Sequence, residues 1–207
     1  QANFLSTVYH GLPENLLTPR ADQKQDYLAF LGRISPEKRL DTAIRIAEKS
    51  GMKLKVAAKL DKADRAYYEE VIKPLMALPH VEYVGEISEA EKAGFLGGAH
   101  ALLFPIDWPE PFGLVMIEAM ACGTPVIAFN RGSVPEVIEN GVSGFVVEDE
   151  ISAVAAVKRL ASLPRSTVRA AFEARFSSKV MAQNYVAVYE ELLRQKRRTV
   201  LREVAAG

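Results

Sequence analysis

Short apolar runs of strand length alternate along this chain with longer stretches of helical period, and that alternation is the strongest constraint on its fold. A helix between two strands carries the chain back to the same end of a sheet. Successive strands then run parallel, with helices over both faces. "FLSTVYH" (Phe4–His10), "YLAFLG" (Tyr27–Gly32), "KLKVAA", "VEYVG", "ALLFP", "PVIAF" and "GFVV" read as strands. "PEKRLDTAIRIAEKSG" (Pro36–Gly51) sets Leu40, Ala43, Ile44 and Ala47 on one helical face. Ser35 can cap that helix, Pro36 suits its first turn and Gly51 suits its stop. A second helix is expected from about Asp64 to Met76, and Ser88 with Glu91 forms a capping-box signature. Two or three helices finish the chain, the last from about Ser178 to Arg198. The reading is a single α/β domain over residues 1–207, built on a doubly wound, Rossmann-like parallel sheet.

Such sheets bind ligands outside the carboxyl ends of their strands. The loops to inspect are therefore "GRISPEK", "AKLDK", "GEIS", "PIDWPEPFG" and "NRGSVPE". In the first, Arg33 and Lys38 flank a helix start whose N–H groups and dipole favour an anion, so the loop can hold phosphate. Solvated surface charges are the plainer reading of the same two residues. In "PIDWPEPFG", Pro111 suits a first helical turn, and Phe112, Gly113 and Leu114 would offer N–H donors. Gly113 lets a ligand approach the backbone, and the Glu110 carboxylate can accept from a sugar hydroxyl.

Glu118 is the one polar residue between Leu114 and Cys122. A buried ionised carboxylate needs partners. A ribose diol would supply two donors, and an internal Arg or Lys would serve equally well; both readings stand.

Lys plus Arg and Asp plus Glu both number 26, so no broad electrostatic footprint for nucleic acid is expected. Cys122 is the single cysteine, which rules out an internal disulfide and fits a reducing compartment. His10, His80 and His100 are scattered with no metal-ligand spacing, so no metal is expected, and His100 reads as structural. Neither G-x-G-x-x-G nor a Walker sequence is present. Trp108 lies in the active-edge loop and could line a ligand mouth, but reads more simply as an ordinary packed loop aromatic. "RQKRR" (Arg194–Arg198) could touch acidic lipid but reads more simply as a solvated helix end. No signal peptide or spanning run is visible, and a cytoplasmic location is expected, with peripheral membrane contact left open for the full-length protein. The chain opens at Gln1, and we expect it to be a piece of a longer protein.

The stretch Glu110–Glu118 has the form E-P-F-G-L-x-x-x-E and resembles the E-x₇-E motif of retaining GT-B glycosyltransferases of family 4, the group 1 glycosyltransferases. "GRISPEK" resembles their phosphate-binding segment, and "ACGTPVIAFNRGSVPEVIENGVSGFVV" resembles the strands and turns that follow. The resemblance implies the C-terminal, nucleotide-sugar-binding half of a two-domain enzyme. It implies that Arg33 and Lys38 hold and stabilise the leaving diphosphate, with Gly32 among the substrate-binding residues of that segment. Glu110 would touch the transferred sugar, the Phe112–Leu114 backbone the sugar or phosphate, and Glu118 the ribose. Gly85 and Ile87 would lie near the base. The donor would be a nucleotide-diphosphate sugar, UDP-sugar favoured, with no separate cofactor. The acceptor is unknown and would be held by an N-terminal domain of the full-length chain. Residues 178–198 would pack toward that domain, and the piece alone would bind donor weakly and not catalyse transfer. The competing readings are a GT-B nucleotide-sugar epimerase, a non-catalytic nucleotide-sugar-binding module, and a structural domain whose carboxylates form core salt bridges.

Overall fold

A computed structural model describes residues 4–20 and 24–206, with side chains through residue 196. In chain order the elements are β1 (Tyr27–Arg33), α1 (Leu40–Lys49), β2 (Lys53–Lys59), α2 (Arg65–Tyr67), α3 (Lys73–Met76) and β3 (Val81–Gly85). Then come α4 (Glu89–Gly97), β4 (Ala99–Phe104), α5 (Leu114–Ala121), β5 (Val126–Phe129) and α6 (Val134–Val137). The chain ends with β6 (Gly144–Val147), α7 (Glu150–Arg159), α8 (Arg165–Phe176) and α9 (Ser178–Ala206). The strands form one parallel sheet in the order β3-β2-β1-β4-β5-β6. The chain starts mid-sheet, winds outward through β3, then returns to β4 and winds outward the other way. This is the doubly wound, Rossmann-like arrangement expected from the alternation, and its strand order reverses between β1 and β4.

The inner strands β1, β4 and β5 bury both faces, which is why their sequences read as nearly continuous apolar runs, whereas the edge strand β3 leaves Glu82, Tyr83 and Val84 exposed. Leu28, Phe30, Val56 and Leu103 face one layer with α1 and α7, while Tyr27, Ala29, Leu102 and Phe104 face the other with α4, α5 and α8. The period of two along β1 and β4 sorts neighbouring residues into opposite cores.

Four expectations are corrected. Phe4–His10 is not a strand. It joins neither edge of the sheet, β3 or β6; its Tyr9 ring packs on Phe112 and Phe176, and just beyond it Leu12 N–H donates to Phe176 O and Ser178 N–H donates to Leu12 O at the α8–α9 junction. The helix read over Pro36–Gly51 is two pieces. A 3₁₀ turn at Pro36–Lys38 gives way to α1 at Arg39, whose backbone is left-handed at φ 54°, ψ 49°. Leu40, Ala43, Ile44 and Ala47 are buried on one face as their spacing requires, and Gly51 (φ 68°) ends the helix. Pro111 is not in a helical turn: α5 begins at Leu114, with Gly113 (φ 77°) as its N-cap, and Leu114 is 48% exposed. Finally, α9 runs on to Ala206, so the basic run Arg194–Arg198 lies inside a helix rather than at its end. Arg194 pairs there with Glu191, and the side chains of Arg197 and Arg198 lie outside the described residues.

Candidate functional site

The loops after β1 and β4 leave the sheet on either side of its switch point, where parting strands open a crevice. Lys38 ends the 3₁₀ turn after β1, and Glu110 lies in the loop after β4. They meet there, with Lys38 Nζ 2.5 Å from Glu110 Oε2. The Trp108 indole N–H donates to the same oxygen at 2.9 Å. No described residue donates to Glu110 Oε1. Lys38 also stands 5.5 Å from the centre of the Phe104 ring. Trp108, read from the sequence as a packed aromatic, is thus 43% exposed and tied to a candidate residue.

The local sequence explains why Glu110 is held. Gly113 turns the chain at positive φ into α5, and a Cβ there would press on Met116 Cε at 2.8 Å and on Glu110 Cγ at 3.4 Å. Gly132, after β5, has φ 54°, and a Cβ there would collide with the Glu110 backbone. Next to it, Ser133 N–H donates to Glu110 O and the Ser133 hydroxyl donates to Phe112 O, both at 2.9 Å. Phe112 sends its ring inward against Tyr9, His10 and Phe176, so only its backbone is placed for a ligand. The first N–H groups of α5, at Leu114 onward, open at this same edge.

Arg33 closes β1 beside Glu37 (3.2 Å) and Asp61 (3.8 Å), with half its side chain exposed. Burial opposes the charge on Glu37, but its own backbone N–H and the cations Arg33 and Lys38 hold its carboxyl below the usual range. Gly32 and Ile87 come together: with Ala58, Lys59 and Glu86 they line a small recess of about 130 Å³ at the carboxyl ends of β1 and β2. Gly85 ends β3 at φ 81° and turns the chain toward this recess. Arg33, Lys38, Gly32, Gly85, Ile87, Glu110, Gly113 and Leu114 therefore all lie at the carboxyl edge of the sheet.

Glu118 has found an internal partner. Lys92 of α4 reaches its Oε1 at 2.8 Å and also pairs with Glu89 at 2.9 Å. Burial works against the Lys92 charge, but hydrogen bonds and the charges of Glu118 and Glu89 outweigh it and raise its pKa. No described residue donates to Glu118 Oε2. Both carboxylates thus give one oxygen to a lysine and keep the other. Lys92, Gly132 and Ser133 were not picked out from the sequence. "NRGSVPE" was visible as a loop at a strand's carboxyl end, but only the fold puts Gly132 against Glu110.

Comparison with known proteins identifies the family. The family described as "Glycosyl transferases group 1" matches residues 17–198. The D-inositol 3-phosphate glycosyltransferase of Mycobacterium tuberculosis is 30% identical over 166 residues, covering 76% of this chain and 34% of that protein. The chain therefore spans about a third of the length of the curated relatives it matches. Among solved structures, a glycosyltransferase involved in avilamycin A biosynthesis superposes with a TM-score of 0.77 at 28% identity, covering 90% of this chain and 58% of that one. The Anabaena protein HepE in complex with UDP gives a TM-score of 0.78 at 20% identity over 89% of this chain and 57% of that one, a likeness of fold. The chain belongs to the group 1 glycosyl transferases.

Proposed function

We propose that this chain is the donor-binding half of a retaining GT-B glycosyltransferase, taking a nucleotide-diphosphate sugar with UDP-sugar favoured. The observation that carries the reading is that Lys38 and Glu110, from loops on opposite sides of the switch point, meet in one crevice. Arg33 and Lys38 supply positive charge where a leaving diphosphate gains negative charge, a stabilisation that grows toward the transition state. Glu110 Oε1 accepts from a hydroxyl of the transferred sugar. The backbone from Phe112 to Leu114 approaches sugar or phosphate, with Gly113 leaving room. Glu118 takes the ribose through Oε2 while Lys92 holds Oε1. The recess of Gly32 and Ile87, entered past Gly85, receives the base. The UDP bound to HepE supports a uridine nucleotide as the first donor to test.

The acceptor is held by a further, N-terminal domain of the full-length protein. α9 exposes Tyr185, Val186, Tyr189, Leu192 and Leu193, and this apolar stripe is the surface that domain would cover. The piece alone binds donor and does not catalyse transfer. We place the protein in the cytoplasm. Incubating the full-length protein with UDP-glucose and candidate acceptors, then reading the product's anomeric configuration by NMR, tests the reading. Glycosylated acceptor with the donor's configuration is expected. Inverted product removes retention, and an epimerised sugar nucleotide removes transfer.

A further inference from the structure

We propose that Arg39 and Asp107 are positioning residues that keep Lys38 and Glu110 in place when the donor comes between them. The inference rests on the donor-site reading above. Under that reading Lys38 turns to the diphosphate and Glu110 to the sugar, yet in the structure the two hold each other. A donor that parts them removes a direct link between the loop after β1 and the loop after β4.

Asp107 carries what remains. Its backbone N–H donates to Glu37 O at 2.9 Å, one residue before Lys38. Its Oδ2 takes Arg39 Nη1 at 3.1 Å, one residue after Lys38. Its Oδ1 lies 3.6 Å from Nε of Arg131, the neighbour of Gly132 and Ser133, which support Glu110. Asp107 thus joins all three loops that build the crevice and brackets Lys38 from both sides.

Arg39 is made for this contact at a conformational cost. Among the described residues it is the one non-glycine with positive φ. That region disfavours any residue with a Cβ, and glycine would adopt it freely. The left-handed turn ends the 3₁₀ turn that carries Lys38 and points the Arg39 guanidinium at Asp107. Stability alone does not explain the choice. Asp107 is half-exposed, and exposed pairs stabilise weakly. Asp41, the other partner of Arg39, keeps Arg45, Tyr67 and Thr42 without it.

A purely structural role and a positioning role are therefore separated by Asp107→Asn, which removes the contact to Arg39 and leaves the Arg39–Asp41 pair in place. Arg39→Gly relieves the backbone, and Asp107→Asn keeps the N–H bond to Glu37 while removing the charge. We expect each variant to bind UDP-glucose at least tenfold more weakly than the wild-type chain in calorimetry. The melting temperature should hold in Asp107→Asn, which leaves the Arg39–Asp41 pair intact, while in Arg39→Gly relief of the left-handed backbone is set against the lost pairing with Asp41. The double variant should be no weaker than the weaker single one, because both break the same contact. Wild-type binding with both variants within twofold of it overturns the positioning role and leaves the donor site standing. Affinity loss that simply follows a fall in melting temperature overturns it too. Absence of saturable UDP or UDP-glucose binding by the wild type overturns the donor-site reading and this inference together.

Discussion

Lys38 Nζ and Glu110 Oε2 lie 2.5 Å apart, across the point where the sheet reverses its winding. Each neutralises the other, and each side chain is more than four-fifths covered. Under the proposed donor reading, a diphosphate and its sugar would replace this pair with two new ones, phosphate on the lysine and hydroxyl on the carboxylate. The cost of parting two mostly covered charges is then offset within the bound complex rather than left as unpaired charge.

The pair Lys92–Glu118 makes a related prediction about stability. Lys92→Met removes the cation and leaves a largely covered carboxylate without its partner, an effect of about 3 kcal/mol where burial is complete and less here. Urea unfolding of the chain should show a midpoint clearly below wild type. Under the proposed reading, saturating UDP should recover part of the loss, because its ribose hydroxyls would reach the same carboxylate and ligand binding stabilises the folded state. A Lys92→Met midpoint equal to wild type would mean the pair contributes nothing.

Gly132→Ala should cost more than about 1 kcal/mol, since it adds a strained positive φ to a collision with the Glu110 backbone. It should also weaken UDP-glucose binding, because Glu110 cannot keep its place while Gly132 moves away. Thermal unfolding and calorimetry on the same sample check both. Intact stability and affinity would show that the loop after β5 does not support Glu110.

Acid should weaken the fold through Asp41. Burial opposes the charge of this carboxyl, but Arg39 and Arg45, by hydrogen bond and by charge, hold its pKa below its ordinary value of 3.8. The unfolded chain therefore takes up its proton first. The stabilisation is full above about pH 3.8 and is lost as pH falls through the folded-state value. Asp41→Asn should lower stability at pH 7 and flatten the decline below about pH 3.8. An equally steep decline in the variant would assign the acid sensitivity to other carboxyls.

Much of this was legible in the sequence because it is local. Strand length, helical period, Gly51 as a stop and the Ser88–Glu91 capping box depend on neighbours in the chain, and each appears in the fold. Phe4–His10 misled because an apolar run of strand length can equally pack side chains on a helix, and here Tyr9 lies on Phe112 and Phe176 instead of the segment joining β3 or β6. The break at Arg39 was invisible because an arginine there gives no sign of a left-handed backbone. The candidate residues of the site were named from their loops. Their partners were not: Lys92 is 26 residues from Glu118 and Lys38 is 72 from Glu110, so only the topology joins them.

The most direct test is a calorimetric titration of this chain with UDP and UDP-glucose, wild type beside Glu118→Ala. The account predicts saturable binding by the wild type and a loss of at least tenfold, about 1.4 kcal/mol or more, in a variant that remains folded. Equal binding by a folded Glu118→Ala, or none by the wild type, would contradict it and leave Glu118 as a core carboxylate held by Lys92.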